Sequence, residues 1–216
     1  MSVATMILGE SGSGKSHSLQ NMIASDVLLI QAIKKPMPFK SSEWRHWDKD
    51  KNPKGNIFVI DESNEIINAM IRTKRKIIVI DDFQYILANE FMRRSNERGF
   101  DKFTEIGRHA WDIMNAASQM PDDVRVYILA HTETTESGRV KAKTIGKMLD
   151  DKITLEGMLT IVLRSIVVNG TNVFSTKNNG MDTVKSPSGM FENEHITNDL
   201  AAVDAAICSY YEINPQ

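Results

Sequence analysis

Residues 9–16 read GESGSGKS and fit the pattern G-x-x-x-x-G-K-[ST] of a loop that holds nucleotide phosphates. No other stretch constrains the fold as strongly, because such a loop works between a buried strand and a following helix. Both are legible. Residues 3–8 (VATMIL) read as a short strand feeding the loop, and residues 17–23 (HSLQNMI) place Leu19, Met22 and Ile23 at helical spacing. Gly9, Gly12 and Gly14 let successive backbone N–H groups point into one concavity, to which the helix adds its positive end. Lys15 is positioned to reach the β- and γ-phosphates, and the Ser16 hydroxyl to ligate Mg²⁺. Glu10, Ser11, Ser13 and His17 complete the expected nucleotide-contacting set.

Beyond the loop, apolar runs predict strands over residues 26–33, 56–60, 76–80, 122–130 and 157–168. Periodic stretches predict helices over 63–72, with Ile66, Ile67, Met70 and Ile71 inward, over about 103–118, with Ile106, Ala110, Ile113, Met114 and Ala117 on one face, and over 198–211. On the last helix Leu200, Val203, Ile207 and Tyr210 form one stripe. Residues 173–176 can pair with the preceding strand across Asn169-Gly170, a dipeptide that favours a type I′ turn. Residues 41–55 are polar and turn-rich, a surface excursion whose large apolar groups are Trp44 and Trp47. The alternation predicts an α/β fold: a mainly parallel sheet flanked by helices, ending in an antiparallel hairpin, in one domain over residues 1–216.

Composition narrows the function classes. Lys and Arg total 26 against 28 Asp and Glu, a net charge of -2, so nucleic-acid contact must come from local basic segments. No apolar run approaches the roughly 20 residues that span a bilayer, and no secretory pattern opens the chain. The one cysteine, Cys208, excludes an internal disulfide framework and suits a reducing cytoplasm. Only eight residues precede the loop, so oligomerisation and DNA contact are expected of the segments behind it.

A phosphate loop needs a second carboxylate for the Mg²⁺ shell at the end of a buried strand. IFVIDE and IIVIDD both offer one; the second is the more β-branched, so its strand is expected beside the loop and Asp81 is assigned to the metal. Asp82 is a plausible base for the attacking water, with Glu62 as its competitor. His131, at the end of the strand over 122–130, either senses the γ-phosphate or simply caps the strand.

Two segments collect positive charge: residues 89–109, with Arg93, Arg94 and Arg98, and residues 132–152, with Arg139, Lys141, Lys143 and Lys147. Either they follow a phosphate backbone, with Phe91, Phe100 or Phe103 stacking on bases, or they are salt-bridged solvent faces. Lys177 and Lys185 are candidates to reach a neighbouring subunit's phosphates, against the alternative of ordinary surface lysines.

Taken together, GESGSGKS, IIVIDDFQYI, VYILAHTET, KAKTIGKMLDDKITLEGM and FSTKNNGMDTVKSPSGMF resemble a family of phage-encoded AAA/RecA-like ATPases, including the Sak4-type recombination ATPases. The resemblance implies a RecA-like P-loop core using ATP and Mg²⁺, and annealing or strand exchange on single-stranded DNA; a helicase-loader-like or packaging-type ATPase and a nucleoside or nucleotide kinase are the rival readings. It also implies a homo-oligomer, ring or filament, that cooperates with a single-strand-binding protein in the host cytoplasm. By position Asp81 is then the metal carboxylate and His131 the polar sensor, while the loops after Asp82 and His131 face DNA. One departure stands out: where RecA-like proteins usually carry a catalytic glutamate, the strand over 26–33 offers Gln31.

Overall fold

Every residue of the first strand is buried, on both faces, so the sheet must be covered from both sides. The computed structural model describes residues 2–145 and 152–214. Its strands are β1 (Val3–Gly9), β2 (Val27–Gln31), β3 (Ile57–Val59), β4 (Ile77–Asp81), β5 (Arg125–Thr134), β6 (Val140–Ala142), β7 (Ile161–Val168), β8 (Thr171–Ser175) and β9 (His195–Thr197). Its α-helices are α1 (Ser63–Arg72), α2 (Phe83–Arg93), α3 (Asp101–Ser118) and α4 (Leu200–Tyr210). The sheet runs β3-β2-β4-β5-β1-β7-β8-β9, with β6 paired to β5. From β3 to β7 the pairings are parallel; β8, β9 and β6 join antiparallel. A mostly parallel sheet flanked by helices, closing in an antiparallel hairpin, is the α/β architecture expected from the sequence.

Side-chain alternation sorts the core into two layers. Met6, Leu8, Leu28, Ile30, Ile78, Ile80, Val126 and Ile128 meet α1, α2 and α3 on one face. Ile7, Leu29, Val79, Tyr127, Leu129 and Leu163 meet α4 and the segment after the phosphate loop on the other. Helix α3 buries all five residues of its predicted stripe: Ile106, Ala110, Ile113, Met114 and Ala117. At roughly 1.5–3 kcal/mol for each buried large side chain, that stripe rather than helix propensity fixes α3 in place. The β7–β8 hairpin turns at Asn169 (φ 50°) and Gly170 (φ 78°), both left-handed, as a type I′ turn requires.

Several expectations are corrected. Strand β4 does not lie beside β1, because β5 is inserted between them. The segment after the loop is a short 3₁₀ turn, Ser16–Asn21, instead of an α-helix, and Ile23 is exposed. Helix α2 starts directly after Asp82, where a basic loop was expected. Strand β5 runs past Ala130 to Thr134 and folds back into β6, so residues 138–142 belong to a hairpin. Ile71 and Tyr210, expected inward, are exposed. Trp44 is buried against Phe39, and Trp47 stacks on Phe58, which makes the excursion a cover for the sheet edge.

Candidate nucleotide site

The loop after β1 is shaped by close approach. A Cβ on Gly9 would stand 2.4 Å from Ser13 Oγ and 2.8 Å from the Ser165 carbonyl oxygen. Gly14 has φ 98°, and a Cβ there would fall 2.7 Å from Asn172 Nδ2. The loop is therefore held from the C-terminal hairpin side as well. Ser165 Oγ donates to the Ser13 carbonyl at 2.5 Å, and Asn198 Nδ2 donates to Ser165 Oγ at 2.9 Å. No local motif marks Ser165, Asn172 or Asn198 as parts of the site, and the sequence reading missed all three.

Lys15 is buried, and its ammonium donates to the carbonyls of Gly9 (2.8 Å) and Glu10 (2.9 Å). Burial, outweighing the nearby Asp81 and Asp82 charges, lowers its amine to about 8. Glu10, Ser11 and His17 are exposed around the loop, and Ser13 is buried beneath it.

Asp81, fully buried at the end of β4, accepts hydrogen bonds from Ser16 Oγ at 3.0 Å on each carboxylate oxygen. The two predicted metal ligands thus meet across the width of β5. Burial and then the adjoining Asp82 charge push the Asp81 carboxyl above its ordinary range, against Lys35 and the Ser16 hydroxyl. Asp82 caps α2 in a left-handed conformation, φ 60° and ψ 43°. Asp tolerates that region better than most residues, at a cost of roughly 1 kcal/mol. Desolvation raises its carboxyl, but hydrogen bonds from His131 and Lys35 prevail and hold it below the usual range. His131 lies in register with Gly9, its Nε2 3.5 Å from Asp82 Oδ1, so it neighbours both the loop and the candidate base.

Lys35, from the KKPMPFK stretch, went unnoticed in the sequence and is central here. Its Nζ lies 3.2 Å from Asp81 Oδ2, donates to Ser16 Oγ at 3.4 Å and makes a short contact with Asp82. Burial disfavours its charge, but Asp81 and Asp82 outweigh that and hold the ammonium above the ordinary lysine value. Ser16 and Asp81 supply the hard oxygen donors Mg²⁺ prefers. An ammonium already sits among them, so the residues present fit a small cation.

Other candidates lie elsewhere. Glu62 is exposed at the start of α1, beyond the outermost strand β3 and four strand spacings from β1, roughly 19 Å. Arg93 pairs with Asp61, and Arg94 with Glu90, Glu97 and Glu105. Phe91 stacks on Phe103 beside Lys102, leaving Phe100 and Arg98 exposed at that corner. Arg139 and Lys143 are exposed on and beside the β5–β6 hairpin, where Lys141 pairs with Glu133. Lys147 lies outside the described residues. Lys177 donates to the Glu192 carbonyl at 2.8 Å, and the Lys185 backbone pairs with Val162 of β7. A cleft of about 670 Å³ between α1 and the excursion shares no residue with the loop.

No family model matches the chain, and no curated protein matches it. Among solved structures it is similar to the genome packaging NTPase B204 from Sulfolobus turreted icosahedral virus 2, in complex with ATP-gammaS. The TM-score is 0.40 at 9% identity, over 83% of this chain and 78% of that one. At that distance the likeness assigns nothing to this chain, whose site stands on its own geometry. No helix among the described residues is long and apolar enough to cross a membrane.

Proposed function

We propose that this chain is a Mg²⁺-dependent ATPase that assembles on single-stranded DNA as a homo-oligomer, in phage recombination or replication within the host cytoplasm. The observation that carries the ATPase reading is the Ser16–Asp81 contact, at 3.0 Å, beside a buried Lys15 in a glycine loop. A serine just after a phosphate loop and a carboxylate at the end of a separate strand, meeting in this way, have little structural purpose unless a metal-bound phosphate joins them.

Nucleotide phosphates would draw Lys15 from the Gly9 and Glu10 carbonyls, because an anion offers the ammonium a charge-assisted bond. Ser16 and Asp81 would hold Mg²⁺, which supplies Lewis-acid neutralisation of the phosphate oxygens. Asp82, kept ionised, accepts a hydrogen bond from an attacking water and orients it, while His131 donates toward the terminal phosphate from the neighbouring strand.

The DNA reading rests on the family resemblance and on exposed Arg139 and Lys143 at the β5–β6 hairpin, which extends β5 past His131. Annealing or strand exchange with a single-strand-binding protein is the activity that resemblance implies. The test is the ATPase rate with and without single-stranded DNA at two salt concentrations. Stimulation that fades with salt is expected; phosphate passed to a nucleoside without any stimulation overturns the reading.

A further inference from the structure

Gln31 ends β2 in register with Asp81, at the place where a RecA-like glutamate is usual. Its side chain does different work: Nε2 donates to the Lys35 carbonyl at 3.2 Å and contacts Met37 Sδ at 3.8 Å. The residue therefore clamps the loop that follows it. Pro36 and Pro38 stiffen that loop, and Phe39 anchors its far side between His17 and Trp44. What the clamped loop presents is the Lys35 ammonium, two-thirds covered and set among Asp81, Asp82 and Ser16 Oγ.

A cation in that position and a metal bonded to Ser16 exclude one another. Ammonium and metal would compete for the same hydroxyl and the same carboxylate oxygen, and at such separations two like charges repel strongly. Charge counting agrees. Lys15 and Lys35 offset Asp81 and Asp82 in the nucleotide-free site, so a divalent ion arriving alone finds no net negative charge. Arriving on a polyphosphate, it brings its own compensation.

We infer that Lys35 is a tethered resident cation of the metal position, which excludes free divalent ions and is displaced when a metal–nucleotide complex binds. This rests on the nucleotide-site reading above and adds a residue that sets when the metal enters.

The test compares wild type with Lys35→Met and Lys35→Gln by equilibrium binding of a fluorescent ATP analogue across a Mg²⁺ titration. Removing the competitor should lower the Mg²⁺ concentration for half-maximal binding by about tenfold. Mg²⁺ alone, without nucleotide, should also raise the melting temperature of the variants more than that of wild type. An unchanged or higher Mg²⁺ requirement in variants that bind nucleotide overturns the inference. If neither wild type nor variants bind nucleotide, the ATPase reading fails, and the Mg²⁺-alone melting comparison still decides the role of Lys35. Lys35→Arg, which keeps the charge, should retain the wild-type requirement; if it behaves like Lys35→Met, charge exclusion is not the mechanism.

Discussion

The Ser16 hydroxyl donates to both carboxylate oxygens of Asp81 at 3.0 Å, although β1, which leads into the loop carrying Ser16, and β4, which ends in Asp81, are not neighbours. Strand β5 separates those two strands, and its His131 stands level with Gly9, with Nε2 3.5 Å from Asp82 Oδ1. The proposed metal ligands thus come from the turn after the phosphate loop and from the end of β4, and the candidate sensor from the strand between β1 and β4.

Asp81→Asn keeps the shape of this contact and removes its charge. It is expected to lower Mg²⁺-dependent ATP turnover by about a hundredfold or more, as loss of a metal-holding group does. Ser16→Ala should act in the same direction. Steady-state phosphate release at saturating Mg²⁺ checks both, and near-wild-type turnover in Asp81→Asn would remove Asp81 from the metal site.

Asp82 needs a residue that tolerates φ 60°, so Asn is the substitution that tests its chemistry without disturbing α2. Asp82→Asn should reduce turnover by about a hundredfold while leaving ATP affinity within about threefold. Single-turnover hydrolysis beside equilibrium binding separates the two. Equal losses in both would make Asp82 a binding group.

Lys15 should impose a pH dependence on binding. Its amine titrates at about 8 in the nucleotide-free protein because it is buried, and bound phosphates raise that value. ATP affinity should be flat below that pH and fall by up to about tenfold per unit above it, with proton uptake on binding. Calorimetry at about pH 9 in buffers of different ionisation enthalpy reads that uptake directly. The sign for folding is opposite. From about 8 up to the ordinary lysine value of 10.5, the unfolded chain binds the extra proton, so the nucleotide-free protein should gain stability as pH rises.

Asp204 of α4 is a stability residue at the other end of the sheet. It accepts from Arg125 Nε at 2.9 Å, Arg125 Nη2 at 3.0 Å and Tyr127 OH at 2.5 Å, and this cluster is buried. Asp204→Ala leaves a buried guanidinium unpaired and should cost about 3–5 kcal/mol in denaturant unfolding. Because Arg125 starts β5 and the phosphate loop lies at the opposite strand ends, folded Asp204→Ala protein should bind ATP as wild type does.

What the sequence made legible was local. The glycine loop, the apolar strands and the α3 stripe each carry their signal within one short window. Asp81 was singled out because IIVIDD joins a β-branched run to an acid. Lys35 carried no such signal: between two prolines and a lysine it reads as a solvated turn, and only the Gln31 clamp turns it inward. Ser165, Asn172 and Asn198 meet the loop from residues over 150 positions away, a pairing no spacing reveals. Helix α2 was a different kind of miss. Phe83, Ile86 and Leu87 have helical spacing, but the charges that follow drew the segment into a basic loop. The inserted β5 is a matter of topology, which strand composition does not encode.

The central claim is a Mg²⁺–ATP site built on Lys15, Ser16 and Asp81. Calorimetric titration of ATP with Mg²⁺ into wild type and Lys15→Ala, followed by phosphate release from the same samples, tests it most directly. Wild type should bind one ATP per chain and release phosphate only when Mg²⁺ is present, while folded Lys15→Ala should do neither. No binding by wild type, or equal binding and release by both proteins, would contradict it.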